Sequence, residues 1–103
     1  MSRKQGRPQP SDPPEPRRYT IEFTRAAERG LASLSKSVLR HVDAKIMALG
    51  RDPRPPGSLK LEGEEGFYRI RVGDYRVVYL IEDDRLIVVV VAVGHRREIY
   101  RDF

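Results

Sequence analysis

Phe67-Tyr68-Arg69-Ile70-Arg71-Val72-Gly73-Asp74-Tyr75-Arg76-Val77-Val78-Tyr79 alternates residue types on either side of a Gly-Asp pair. This pattern predicts two strands joined by a two-residue turn, and Gly at the first central position suits type II′. The register then sets Val72 opposite Tyr75, Arg71 opposite Arg76, Ile70 opposite Val77, Arg69 opposite Val78 and Tyr68 opposite Tyr79. Facing residues share a side of the sheet. Tyr68, Ile70, Val72, Tyr75, Val77 and Tyr79 therefore form one largely apolar face, and Arg69, Arg71 and Arg76 gather on the other. Like charges directly opposite each other are destabilising. Acidic groups elsewhere in the chain or solvation would relieve the repulsion, but three clustered guanidinium forks favour a bound anion and suit phosphate particularly well.

Downstream, Glu82-Asp83-Asp84-Arg85 reads as a second tight turn. The apolar run from Leu86 to Val93 reads as an interior strand covered on both faces. Strict alternation would project Ile87, Val89, Val91 and Val93 onto the arginine face, under another chain or a C-terminal segment, and would turn His95 towards the arginines. Upstream, Arg51 to Ser58 holds three prolines and a glycine and must be a loop. Leu59 and Leu61 are candidates to anchor its far end. Val38, Leu39, Val42, Ile46 and Leu49 make the apolar stripe of a helix that begins at Ser35 and stops at Gly50. His41 lies off that stripe, as a solvated helix residue.

A shorter helix capped by Thr24 carries Ala27, Leu31 and Leu34, weakened by Gly30. Before it, Tyr19 to Phe23 alternates as a half-buried strand. Residues 1–18 mix Pro, Arg, Lys, Gln and Ser without apolar periodicity and read as a disordered basic tail; 19–103 form the domain. Strand, two helices and three strands predict an α+β domain: a four-stranded antiparallel or mixed sheet with the helical pair on one face. A doubly wound nucleotide-binding fold lacks support, because no β-α units alternate and no glycine-rich phosphate loop follows a strand.

The totals bound the function. A length of 103 residues allows one small core, and a net charge of +5 points to a polyanionic partner, either nucleic acid or an acidic protein. Cysteine is absent and histidine occurs only at 41 and 95, which argues against thiol chemistry and a conventional zinc site. No metal or other cofactor is expected. The Met1 end has no apolar leader pattern and no run approaches a membrane span, so a cytoplasmic protein with no membrane partner is expected.

Two motifs, Tyr68 to Tyr79 and Val93-Gly94-His95-Arg96-Arg97-Glu98-Ile99-Tyr100, together with the element order, resemble the RelE branch of the RelE/ParE toxin superfamily. The resemblance runs from about Tyr19 to Arg101; the second motif, with its Arg and Tyr, favours the messenger-RNA-cleaving branch over the gyrase-inhibiting one. It implies a fold similar to small microbial ribonucleases and metal-independent cleavage of messenger RNA in the ribosomal A site. In that reaction the 2′-hydroxyl attacks the adjacent phosphorus, leaving a 2′,3′-cyclic phosphate and a 5′-hydroxyl. It also implies an antitoxin partner, acidic and partly disordered when free. Carried over residue by residue, Arg69 and Arg71 take two basic family positions, Arg76 the phosphate-binding arginine, Arg96 the transition-state arginine and Tyr100 the tyrosine near the base or scissile group. His95 stands where the family has a basic residue or histidine, and Arg97 is a further RNA contact.

Negative charge building on the phosphoryl oxygens is what preorganised guanidiniums stabilise. An arginine at position 69 is a poor general base, because a guanidinium does not give up its proton in a protein. His95, of a residue type with a reference pKa near ~6.5, and Glu98 are the candidates for proton transfer. Tyr100 either stacks on an RNA base or closes the core. A gyrase-inhibiting toxin and a non-toxic relative that only binds the antitoxin are the competing functions.

Overall fold

A computed structural model describes residues 18–99. In chain order the elements are β1 (Thr20–Phe23), α1 (Arg25–Ala32), α2 (Lys36–Ala48), β2 (Leu59–Lys60), β3 (Phe67–Val72), β4 (Tyr75–Glu82) and β5 (Ile87–His95). The five strands lie in the order β1-β5-β4-β3-β2, with β1 parallel to β5 and every other pair antiparallel. The mixed α+β sheet is thus as expected, with one strand more than the four read from sequence. The addition is the two-residue β2, which sets Leu59 opposite Arg69 and Lys60 opposite Tyr68. Its brevity leaves no alternation to detect.

Local signals explain both helices. Thr24 Oγ1 accepts from the Ala27 N–H at 3.1 Å and donates to Val91 O at 3.0 Å, capping α1 while tying it to β5. Ser35 Oγ accepts from Val38 N–H at 3.4 Å, opening α2. His41 is exposed, with Nδ1 2.9 Å from Ser37 O. Helical Ala27, Val42, Ile46 and Leu49 meet Ile70, Val77, Tyr79, Ile81, Val88, Val90 and Val93 of the sheet in one buried cluster, with Ile21 and Phe23 packed against it. Gly30 weakens α1 in isolation, but a Cβ there would sit 2.1 Å from Val93 O. The missing side chain is what lets helix backbone rest on strand backbone.

The central hairpin adopts the predicted register throughout, from Val72 opposite Tyr75 to Tyr68 opposite Tyr79. Gly73 has φ 61°, whereas Asp74 is not among the positive-φ residues, consistent with a type II′ turn. The last strand departs from strict alternation. Val78 faces Ala92 but Tyr79 faces Val90, so Val91 is an extra residue in a β-bulge. The bulge shifts the phase: Ile87 and Val89 lie on the arginine side, opposite Glu82 and Leu80, but Val93 pairs with Val77 and enters the helix-covered core. The strand also begins one residue later than expected, at Ile87, because Leu86 takes φ 54° in the turn.

The proline loop is anchored from several sides. Arg54 donates from Nη1 and Nη2 to Asp83 at 3.2 and 2.8 Å and from Nε to Tyr68 Oη at 3.0 Å, with its guanidinium carbon 5.1 Å from the Tyr68 ring centroid. Bonding to Asp83, and then to Tyr68, raises the Arg54 pKa further. Tyr19 Oη donates to the same carboxylate at 2.6 Å. Beneath this cluster, Tyr79 Oη donates to Pro53 O at 2.7 Å, and burial pushes its pKa up to about 12.

Gly30→Ala should destabilise the domain by at least about 2 kcal/mol, the middle of the range for overpacking. For a domain this small that lowers Tm by roughly 8–16 °C. Thermal denaturation followed by circular dichroism checks this; a Tm within about 2 °C of the parent would contradict the close helix-strand contact.

Candidate functional site

The hairpin register puts Arg71 directly across from Arg76, and the next strand over sets Gly94 beside Arg76. Arg69 lies two residues along, between Val78 and Leu59. All three arginines occupy the face away from the helices, as predicted. Arg71 is exposed, whereas Arg69 and Arg76 are partly buried. The Arg69 Nε atom is buried without a hydrogen-bond partner. A buried donor left unmade costs about 1–3 kcal/mol.

The tip of the hairpin reaches the chain beyond β5. Arg76 Nη1 donates to both Gly73 O and Tyr75 O at 3.2 Å. The backbone N–H of Arg96 donates to Asp74 O at 2.8 Å, and Arg96 Nε lies 3.7 Å from Asp74 Oδ1. Arg76 and Arg96, distant in sequence, are thereby both attached to one turn. This link was not legible in the sequence. An aspartate in a Gly-Asp turn is explained by turn chemistry alone, and nothing in the pattern marks it as the partner of a residue beyond the next strand.

His95 is not where strict alternation put it. The Val91 bulge pairs it with Tyr75, on the helix-covered side, and its ring meets the Tyr75 ring edge-on with centroids 5.6 Å apart. Its Nδ1 accepts from the Arg97 N–H at 3.1 Å, while its carbonyl accepts from Glu98 and Ile99 at 2.9 Å each. His95 and Glu98 line a cleft of about 340 Å³ with Ser33, Leu34 and Tyr75. Ile99 is buried, beside the position a Gly94 Cβ would take. Arg97 is exposed. Tyr100 lies outside the described residues. Among the described residues no group of three or more His, Cys, Asp or Glu is placed to hold a metal, and no helix is long and apolar enough to cross a membrane.

Residues 21–100 match the family described as ParE toxin of type II toxin-antitoxin system, parDE. Toxin RelG of Mycobacterium tuberculosis is 36% identical over 84 residues, covering 81% of this chain and 97% of the relative. The mRNA interferase toxin RelE of Escherichia coli is 28% identical over 88 residues, covering 82% of this chain and 92% of the relative. The crystal structure of the toxin-antitoxin complex RelBE2 from Mycobacterium tuberculosis contains a similar chain, with a TM-score of 0.70, 33% identity and coverage of 80% of this chain and 95% of that one.

Arg71→Thr should leave stability unchanged or raise it by up to about 1 kcal/mol, because it removes a like-charged cross-strand pair. The same substitution should reduce the salt dependence of binding to a single-stranded RNA oligonucleotide by about 0.7 in the log-log slope, the value for one lost phosphate contact. Fluorescence anisotropy across a salt series checks it; an unchanged slope would remove Arg71 from the anion-binding face.

Proposed function

Because the chain belongs to the RelE/ParE superfamily of type II toxins, as a RelE-type toxin, we propose that it is a ribosome-dependent endoribonuclease that cleaves messenger RNA in the A site. The observation that carries this reading is the attachment of Arg76 and Arg96 to one turn, with Arg71 directly opposite Arg76. A surface of that kind suits a phosphodiester whose transition state gains negative charge on its non-bridging oxygens. The name of the similar mRNA interferase toxin from Escherichia coli supports the substrate class. Ribosome and messenger are then the targets, the cytoplasm the place of action, and an acidic antitoxin the restraint in the resting cell, in keeping with the antitoxin in the similar solved complex.

In the proposed mechanism Arg76 grips the scissile phosphate and Arg96 stabilises the charge that develops on it. Arg69, Arg71 and Arg97 hold the flanking RNA, and Tyr100 stacks on a base. The 2′-oxygen bonds to phosphorus as the bond to the 5′-oxygen breaks, giving a 2′,3′-cyclic phosphate and a 5′-hydroxyl without a metal. His95 pairs with Tyr75 on the helix-covered side of the sheet, and it lines one cleft together with Glu98. This location favours catalysis by charge stabilisation, with the 2′-hydroxyl proton leaving through water and another returning to the 5′-oxygen. Gyrase inhibition is the second reading, kept in view by the ParE description of the matching family. Induction that damages DNA and leaves messages intact would favour it.

Arg76→Ala and Arg96→Ala should each remain folded and lose about 10²–10³-fold in single-turnover cleavage on programmed ribosomes, as for removal of one transition-state donor. Full activity in folded Arg96→Ala would overturn the assignment. His95→Ala should stay within about tenfold of the parent, since a positioned acid or base contributes 10²–10⁴-fold. A loss of 10²-fold or more, with ribosome affinity intact, would return proton transfer to the imidazole.

A further inference from the structure

We propose that the Gly73-Asp74 turn sets the relative position of the two phosphate arginines, with Asp74 as the positioning residue for Arg96; the inference rests on the nuclease reading above. The carbonyls of three consecutive residues are committed to this task. Gly73 O and Tyr75 O accept from Arg76 Nη1, and Asp74 O between them accepts from the Arg96 N–H. A two-residue turn has few conformations, and with Gly73 at φ 61° these carbonyl directions are fixed by the hairpin itself. The separation of Arg76 from Arg96 thus depends on a rigid element.

The Asp74 carboxylate adds orientation. It lies 3.7 Å from Arg96 Nε, the inner nitrogen of the guanidinium, and so engages neither terminal nitrogen at that distance; a guanidinium with its terminal nitrogens unengaged by this carboxylate keeps them for bidentate contact with phosphate. At that separation the contact exceeds hydrogen-bond length, so the carboxylate attracts the guanidinium without saturating its donors. The two side chains are 51% and 68% exposed, and an exposed ion pair adds little to stability. Its effect should therefore appear in the rate of the chemical step. Misplacing a catalytic group by about 1 Å can cost 10²-fold.

The test uses the full chain with Asp74→Asn and Asp74→Glu, alone and combined with Arg96→Ala. Asp74→Asn should keep its Tm within about 2 °C and its ribosome affinity within about twofold. Its single-turnover cleavage rate should fall by roughly 10- to 100-fold. Asp74→Glu should recover at least part of that loss. In the Arg96→Ala background Asp74→Asn should have no further effect. Independently of cleavage, the Arg96 Nε–H signal in ¹⁵N-arginine NMR should shift and gain mobility in Asp74→Asn.

A parental rate in Asp74→Asn, or a loss that adds in full to that of Arg96→Ala, would overturn the proposal while leaving the nuclease reading intact. A faster Asp74→Asn would also overturn it, showing Asp74 to be a competing counterion. Absence of cleavage by the parent would overturn the nuclease reading; the NMR arm still decides whether Asp74 orients Arg96, and an unchanged Arg96 signal refutes the positioning.

Discussion

The structure depends on a cross-strand register that holds Arg71 against Arg76 despite their repulsion. Burial decides the competition. The same register places Ile70 beside Val77 and Tyr68 beside Tyr79 on the face packed against the helices. Burying each such side chain contributes about 1.5–3 kcal/mol, whereas a cross-strand like-charge pair costs only about 0.2–1 kcal/mol. A slip by one residue would exchange the two faces and lose the core. The sheet can therefore maintain a concentration of positive charge that its local electrostatics oppose, ready for an anion.

Much of this was legible because the decisive patterns are short-range. Period two around Gly73-Asp74 defined the hairpin to the residue, and Thr24 and Ser35 marked the helix starts through side chains that cap their own helices. What escaped depends on partners distant in sequence. An unbroken apolar run carries no marker for a bulge, so Val91 hid the change of phase that takes Val93 and His95 to the helix side. A two-residue strand such as β2 has no period. The bonds from Arg54 to Asp83 and Tyr68 join a loop residue to a turn and a strand far along the chain. Gly30 illustrates the same limit: propensity registers only a weak helix, while the contact with Val93 O requires the fold.

The candidate site was legible in composition and only partly in geometry. The arginines at 69, 71 and 76 share a face as alternation requires, but the attachment of Arg96 to that hairpin runs through Asp74, whose residue type is already explained by the turn. The bulge also separates functions that sequence adjacency merges. Arg96 is tied to the hairpin tip, whereas His95, one residue earlier, turns its ring to Tyr75. Among the described residues the arginines at 69, 71 and 76 gather on one face, while His95 lies on the other, which is why the proposed mechanism rests on charge stabilisation.

The most direct test of that account is to map RNA 5′ ends on translating ribosomes supplied with the purified protein, and to identify the termini. The account predicts cuts within A-site codons that carry 5′-hydroxyl and 2′,3′-cyclic phosphate ends, persist in EDTA-treated protein assayed on ribosomes in standard magnesium, and disappear with Arg96→Ala. Uncut messages in the presence of folded protein, or cuts made equally well by Arg96→Ala, would contradict it.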